Sequence, residues 1–283
     1  MLILVSSTTS ASIITKDKNE KIKTKDESKP KGDGISNKWA LIVGVGIASC
    51  PYTTYDALDM KNALIKHGWN TAQIKCLTGL LEASKTNILN KIEGWLDLNE
   101  DADDTVLFYF SGHGYYGHIC AANIIEGGDP SNYEISSKEL DDAFSKLESE
   151  KVVIIFDSCM SGSFTDLINP LSKSGRMILS ACGSLETSVG SEELKNGLFT
   201  YYLSKALNFD DEFGEADTNN DKCVSAEEAF YYAKIRTTIS YPLQHPKIYD
   251  GISGDITITK QSRSRNINLH NLFFFIKHFK NWW

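Results

Sequence analysis

The sequence predicts an open α/β fold, with a mostly parallel central sheet and helices on both faces. Continuous apolar runs recur within 38–46, at Val106–Phe110 and at Val152–Phe156. Strands covered on both faces read as unbroken apolar runs instead of alternating ones. Segments of helical periodicity lie between them, and strands alternating with helices imply parallel pairing through crossovers. A chain of 283 residues buries one sizeable core, with at most a small appendage.

The elements follow in order. Met1 through Ser12 pass from apolar to small side chains, like the second half of a secretory signal. No charged first region precedes them and the apolar part is short. Residues 1–15 therefore read as a truncated signal segment or a disordered start. Location stays open between a secreted or cell-envelope protein and a cytoplasmic one. Residues 16–37 are charged and poor in apolar side chains, the composition of a disordered linker. The domain spans 38–259 and begins abruptly at Lys38 with the first strand, over 38–46. Gly44-Val45-Gly46 lacks the third glycine of a dinucleotide turn and reads as a tight turn after that strand. A helix is expected over Ala57–His67, stopping before Gly68. A short strand over Gln73–Leu77 follows, then a helix over Ser84–Leu98 with Ser84 as N-cap.

The strand ending at His113 comes next. Ser136-Ser137-Lys138-Glu139 fits a capping box and opens a helix to Leu147. After the strand ending at Cys159 come a polar loop over 161–175 and a strand over Arg176–Cys182. Helices near 194–207 and 225–238 and a last strand over Asp255–Ile258 complete the domain. The basic and aromatic tail, 260–283, reads first as a helix docked on the domain or an extra piece. Contact with a membrane surface is its second reading. No stretch approaches the ~20 apolar residues of a spanning helix.

Composition narrows the function. A net charge of −8 argues against nucleic-acid binding, which draws on Lys and Arg to neutralise phosphates. The six cysteines show no Cys-x-x-Cys spacing, which removes zinc knuckles and thioredoxin-like motifs. Two strand ends carry the chemistry. Functional side chains gather beyond the carboxyl ends of parallel strands, and His113 and Cys159 both sit there. A thiol is a weak nucleophile until it loses its proton, and a nearby imidazole takes that proton and later returns one to a leaving amine. The backbone N–H groups of Gly114 and Cys159 are suited to receive the oxyanion.

Phe-Ser-Gly-His-Gly and Phe-Asp-Ser-Cys-Met-Ser-Gly resemble the histidine and cysteine blocks of caspase-like cysteine peptidases, the clan of metacaspases, paracaspases and legumains. The two reactive residues stand 46 apart, close to the caspase interval of about 50. The resemblance covers about 38–259 and implies the caspase–haemoglobinase fold, with His113 as general base, Cys159 as nucleophile and Gly114 in the oxyanion hole. Aspartate-cutting caspases carry Gln-Ala-Cys at the nucleophile; this chain carries Asp157-Ser158-Cys159, as metacaspases do. The resemblance makes Asp157 a wall of the primary substrate pocket and Glu186 the second acidic wall. Two carboxylates favour a guanidinium or ammonium and repel an aspartate. Protein or peptide substrates with Arg or Lys before the scissile bond are expected, cut by a monomer. Self-cleavage is expected in the loop after the cysteine strand, at Lys173 or Arg176.

A second motif spans 217–228. Asp217, Asn219, Asp221, the backbone oxygen of Cys223, Ser225 and Glu228 match the ligand positions of an EF-hand loop. Calcium is therefore the expected cofactor, although Lys222 stands where the loop needs glycine. Asp101, Asp103 and Asp104 occupy a place similar to the acidic residues through which calcium activates metacaspases. Two other readings stay open: a legumain-like peptidase cutting after asparagine, and a non-catalytic caspase-fold module that binds calcium.

Overall fold

Apolar strands lie side by side in an order that brings their polar ends together. The computed structural model describes residues 32–47, 50–122, 128–209 and 215–261. In chain order the elements are β1 (Lys38–Gly44), α1 (Thr53–Lys66), β2 (Ile74–Leu77), α2 (Lys85–Asn90), β3 (Thr105–Ser111), β4 (Gly114–Tyr115), β5 (His118–Cys120), β6 (Glu134–Ser136), α3 (Ser137–Phe144) and β7 (Val152–Asp157). There follow β8 (Arg176–Ser180), β9 (Gly190–Ser191), β10 (Asn196–Gly197), α4 (Leu198–Asn208), β11 (Cys223–Ser225), α5 (Ala226–Ser240), β12 (Lys247–Asp250) and β13 (Thr257–Lys260). Among the described residues the main sheet has six strands in the order β12-β8-β7-β3-β1-β2. All pair in parallel except β12, which runs antiparallel along β8.

Alternate residues of these strands feed two cores. Ile42, Tyr109 and Ile155 pack with α1, α4 and α5 on one face. Leu41, Phe108, Phe110, Ile154 and Phe156 pack with α2 and α3 on the other. This is why the strands read as unbroken apolar runs: both faces are dry. Each fully buried Phe or Ile contributes about 1.5–3 kcal/mol of transfer free energy.

Several boundaries differ from expectation for physical reasons. Helix α1 starts at Thr53, ahead of the expected Ala57. Its first turn is polar, and Asp56 within it is 0% exposed, so apolar periodicity could not reveal it. Ser84 occupies the N-cap of α2, but its hydroxyl donates to Leu81 O at 2.9 Å and caps nothing. The α-helix there ends at Asn90, and a π-type turn continues it over Lys91–Leu96. The capping box of α3 forms, with Ser136 and Glu139 bonded reciprocally, although the helix stops at Phe144. The β9–β10 hairpin takes the start of the helix expected from 194. The last strand lies at Thr257–Lys260, displaced toward the C-terminus. The expected linker is shorter at its end: Asp33 N donates to Asp101 Oδ2 (3.1 Å), Gly34 N to Asp103 Oδ2 (2.9 Å) and Asn37 N to Asp104 Oδ1 (2.5 Å). The signal-like start and the aromatic tail from 262 onward lie outside the described residues. Among those described, no helix is long and apolar enough to cross a membrane.

Candidate active site

Register fixes the relation of the two reactive residues. Ser111 at the end of β3 pairs with Asp157 at the end of β7, and Gly112 N extends the ladder to Asp157 O at 3.2 Å. His113 and Cys159 each follow two residues later on neighbouring strands. Both line one cavity of about 90 Å³ together with Tyr52, Ser111, Asp157 and Ser188. Ser188 O lies 3.8 Å from Cys159 Sγ and accepts the thiol proton. Gly114 opens β4, and a Cβ there would stand 2.6 Å from Ser158 Oγ and 3.1 Å from Cys159 O. The histidine and cysteine loops approach so closely only because this residue has no side chain.

After the cysteine the chain reverses sharply. Met160 takes φ 56°, a left-handed conformation uncommon outside glycine and concentrated at functional sites. Its N–H donates to Glu186 O at 2.7 Å. One 3₁₀ turn over Ser161–Thr165 follows.

Beneath the cysteine lies a pair of buried carboxylates. Asp157 is 4% exposed; its Oδ1 accepts from Ser188 Oγ (2.6 Å) and its Oδ2 from Thr200 N (3.0 Å) and Thr200 Oγ1 (2.6 Å). Asp56 accepts at Oδ2 from Ser111 Oγ (2.6 Å) and at Oδ1 from Asn196 Nδ2 and Gly197 N, both at 2.9 Å. A Cβ on Gly197 would stand 2.5 Å from Asp157 Oδ2, so this backbone passes directly between the two acids. Burial, followed by the charge of Asp157, pushes the Asp56 carboxyl up to about 8. Burial also raises that of Asp157, against the hydrogen bonds of Ser188 and Thr200. Two acids that resist ionisation together in a dry site favour a cation that would neutralise them.

A family model described as "Caspase domain" matches residues 37–248. The chain belongs to the caspase-domain family. It is 28% identical over 154 residues to Metacaspase-1 of Plasmodium falciparum (isolate 3D7), covering 47% of this chain and 25% of that protein. It is also 28% identical over 153 residues to Metacaspase-3 of Arabidopsis thaliana, covering 47% of this chain and 42% of that protein. The alignments thus take in less than half of either relative.

Within this caspase domain the sequence-predicted residues fall into three groups. His113, Cys159 and Asp157 meet in one cavity, with Gly114 against the cysteine loop. Glu186 meets a different geometry from the second acidic wall expected of it. Its Oε2 accepts from Gly183 N (2.8 Å) and His245 N (2.7 Å), and Oε1 bonds His245 Nδ1 at 2.8 Å. Burial pushes its carboxyl up, but these partners outweigh that and hold it below the usual value. The second carboxylate beside Asp157 is Asp56, which the sequence analysis missed. A signal existed: Asp56 falls on the same helical stripe as the buried Met60 and Ala63, and an acid aligned with an apolar stripe is buried for a reason.

The third group, 217–228, contributes nothing to the cavity lining. Its acids are turned on their own loop. Asp217 accepts from Asp221 N (3.1 Å) and Lys222 N (3.0 Å), Asn219 from Asp221 N (2.9 Å) and Asp221 from Cys223 N (2.7 Å). Glu228 Oε1 accepts from Thr218 N and Oγ1, and Oε2 from Ser225 N, whose side chain caps α5 in return. Among the described residues, three acidic ligand atoms come within 4.8 Å of one another at Asp33, Asp101 and Asp103 instead. There, Asp101 and Asp103 already take the amides of the incoming chain. The carboxylates of the 217–228 loop hold backbone amides of the loop itself, and Lys222 takes φ 67° at the position where an EF-hand loop has glycine.

Proposed function

We propose that this caspase domain is a cysteine endopeptidase that cuts after Arg or Lys, with Cys159 as nucleophile and His113 as general base. The observation that carries the reading is the Asp56–Asp157 pair beneath the thiol. A guanidinium or ammonium entering between Ser111 and Ser188 meets Asp157 in the cavity wall, with Asp56 buried behind Ser111 adding its field. A neutral asparagine leaves them uncompensated, and an aspartate adds a third charge. This disfavours legumain-like specificity.

His113 takes the Cys159 proton, and the thiolate attacks the carbonyl carbon held over it. The oxyanion is received by the Gly114 and Cys159 amides. Protonation of the leaving amine by the imidazolium frees the C-terminal fragment and leaves a thioester. Water, deprotonated by His113, then hydrolyses the acyl-enzyme. No step is routed through calcium.

Fluorogenic peptides with Arg, Lys, Asn or Asp before the bond test the reading. Cleavage is expected with Arg and Lys alone and is lost in Cys159→Ala. In Asp157→Asn, kcat/KM on Arg peptides should fall at least about 100-fold, the scale of removing one partner of a buried charge pair. Equal turnover of all four peptides, or turnover by Cys159→Ala, sinks the proposal.

Self-processing is confined by the fold. Arg176 opens strand β8, pairs in register with Val152 and is 5% exposed. Cutting after it would sever the central sheet. Lys173 is half exposed in the preceding loop, paired with Asp141 at 2.5 Å, and is the site to which the proposal assigns any cut there.

A further inference from the structure

Gln244 lies outside the cavity, between α5 and β12, yet it is 0% exposed. All its amide atoms are engaged with the loop that carries Ser188. Nε2 donates to Ala181 O at 2.9 Å and to Ser188 Oγ at 3.3 Å, and Oε1 accepts from Val189 N at 3.0 Å. The orientation of the amide is unambiguous. Ala181 O only accepts and Val189 N only donates, so a flipped amide would oppose like groups at both ends.

That orientation has a consequence one residue further on. An N–H pointed at Ser188 Oγ occupies one of its lone pairs, so the hydroxyl's own proton is directed to Asp157 Oδ1 at 2.6 Å. The same residue offers its carbonyl to the Cys159 thiol. Ser188 thus touches both the acid of the substrate pocket and the nucleophile, and Gln244 holds it from behind. The next residue does the same for the other end of the loop, where His245 N and Nδ1 bind Glu186 and Glu186 O holds Met160 N at 2.7 Å.

We propose that Gln244 is a positioning residue for substrate recognition: it fixes the Ser188 hydroxyl as a donor to Asp157 and so sets the pocket's affinity for a cationic side chain. This rests on the Arg/Lys reading above. Ser188 transmits the effect, and Gln244 itself touches neither substrate nor thiol.

The full-length chain carrying Gln244→Met tests this, since methionine keeps length and bulk and removes every hydrogen bond. KM for an Arg peptide is expected to rise about fivefold or more, the scale of one or two lost hydrogen bonds, with kcat changed less than twofold. In Ser188→Ala the effect should already be present, so adding Gln244→Met changes KM no further. Should the methionine variant not fold, Gln244→Glu carries the same comparison, keeping an acceptor for Val189 N and losing the donor to Ser188. Unchanged KM in the folded variant, or additive effects of the two substitutions, overturns the proposal. Failure of the Arg/Lys reading shows separately: wild-type protein would then not prefer Arg peptides at all.

Discussion

Asp56 illustrates how a single side chain couples protonation to ligand. Its carboxyl is raised to about 8 from an ordinary value of 3.8, so the folded protein holds that proton more tightly than the unfolded chain does. The stability this contributes is complete below about pH 4 and is lost as pH rises through about 8. Thermal unfolding should therefore weaken from pH 5 to pH 8.5 in the wild type, and less so in Asp56→Asn. A cation bound against Asp157 reverses the penalty, because its field favours the charged form of both acids. An alkylguanidinium inhibitor is expected to bind more tightly as pH rises from 6 to 8.5, with up to about tenfold gain per pH unit. Inhibition constants that do not move with pH, or that move equally in Asp56→Asn, would contradict this. At this scale the sequence was legible where chemistry and strand ends coincide, at His113, Cys159 and Asp157. Glu186 was assigned by resemblance of its segment, which says nothing of where its oxygens turn. The acid actually paired with Asp157 sits 101 residues before it, on a helix whose first turn reads as loop.

At the scale of elements, Asp141 on α3 gathers Arg176 at 2.8 Å and Lys173 at 2.5 Å, both donors clamping the 161–175 loop to that helix. Burial pushes the Asp141 carboxyl up, yet the two cations hold it below its ordinary value. Arg176→Ala should cost about 3 kcal/mol in chemical unfolding, since it removes a buried partner. Mass spectrometry of purified protein should find any cut in this loop after Lys173 and none after Arg176. The cap of α3 gives a smaller effect: Ser136→Ala should lower stability by about 0.5–2 kcal/mol. The sequence showed that capping box and the β1, β3, β7 and β8 strands because their patterns are local and strong. It did not show β12, an edge strand with no fully buried residue, nor the two- and three-residue ladders β4–β6 and β9–β10. Such short pairs carry too few side chains for any alternation to register.

For the molecule as a whole, the acids of 217–228 act as internal ties, binding the loop to the start of α5. A rise of several degrees in the unfolding temperature in millimolar calcium, reversed by EDTA and absent in Asp217→Ala, is expected if the loop takes the ion; identical curves with and without calcium exclude it. The sheet order has a further effect. Strands β1, β3, β7 and β8 are neighbours in space in the order of synthesis, so the scaffold and both reactive residues can assemble as the chain emerges from the ribosome. Apart from Ser111, the partners of the pocket acids come later, at Ser188, Asn196 and Thr200, and Gln244, which holds Ser188, comes last. A nascent chain thus holds its nucleophile well before it holds a place for the substrate's side chain. Recognition therefore trails reactivity along the chain: the residues that shape the pocket are made after the strands beneath it.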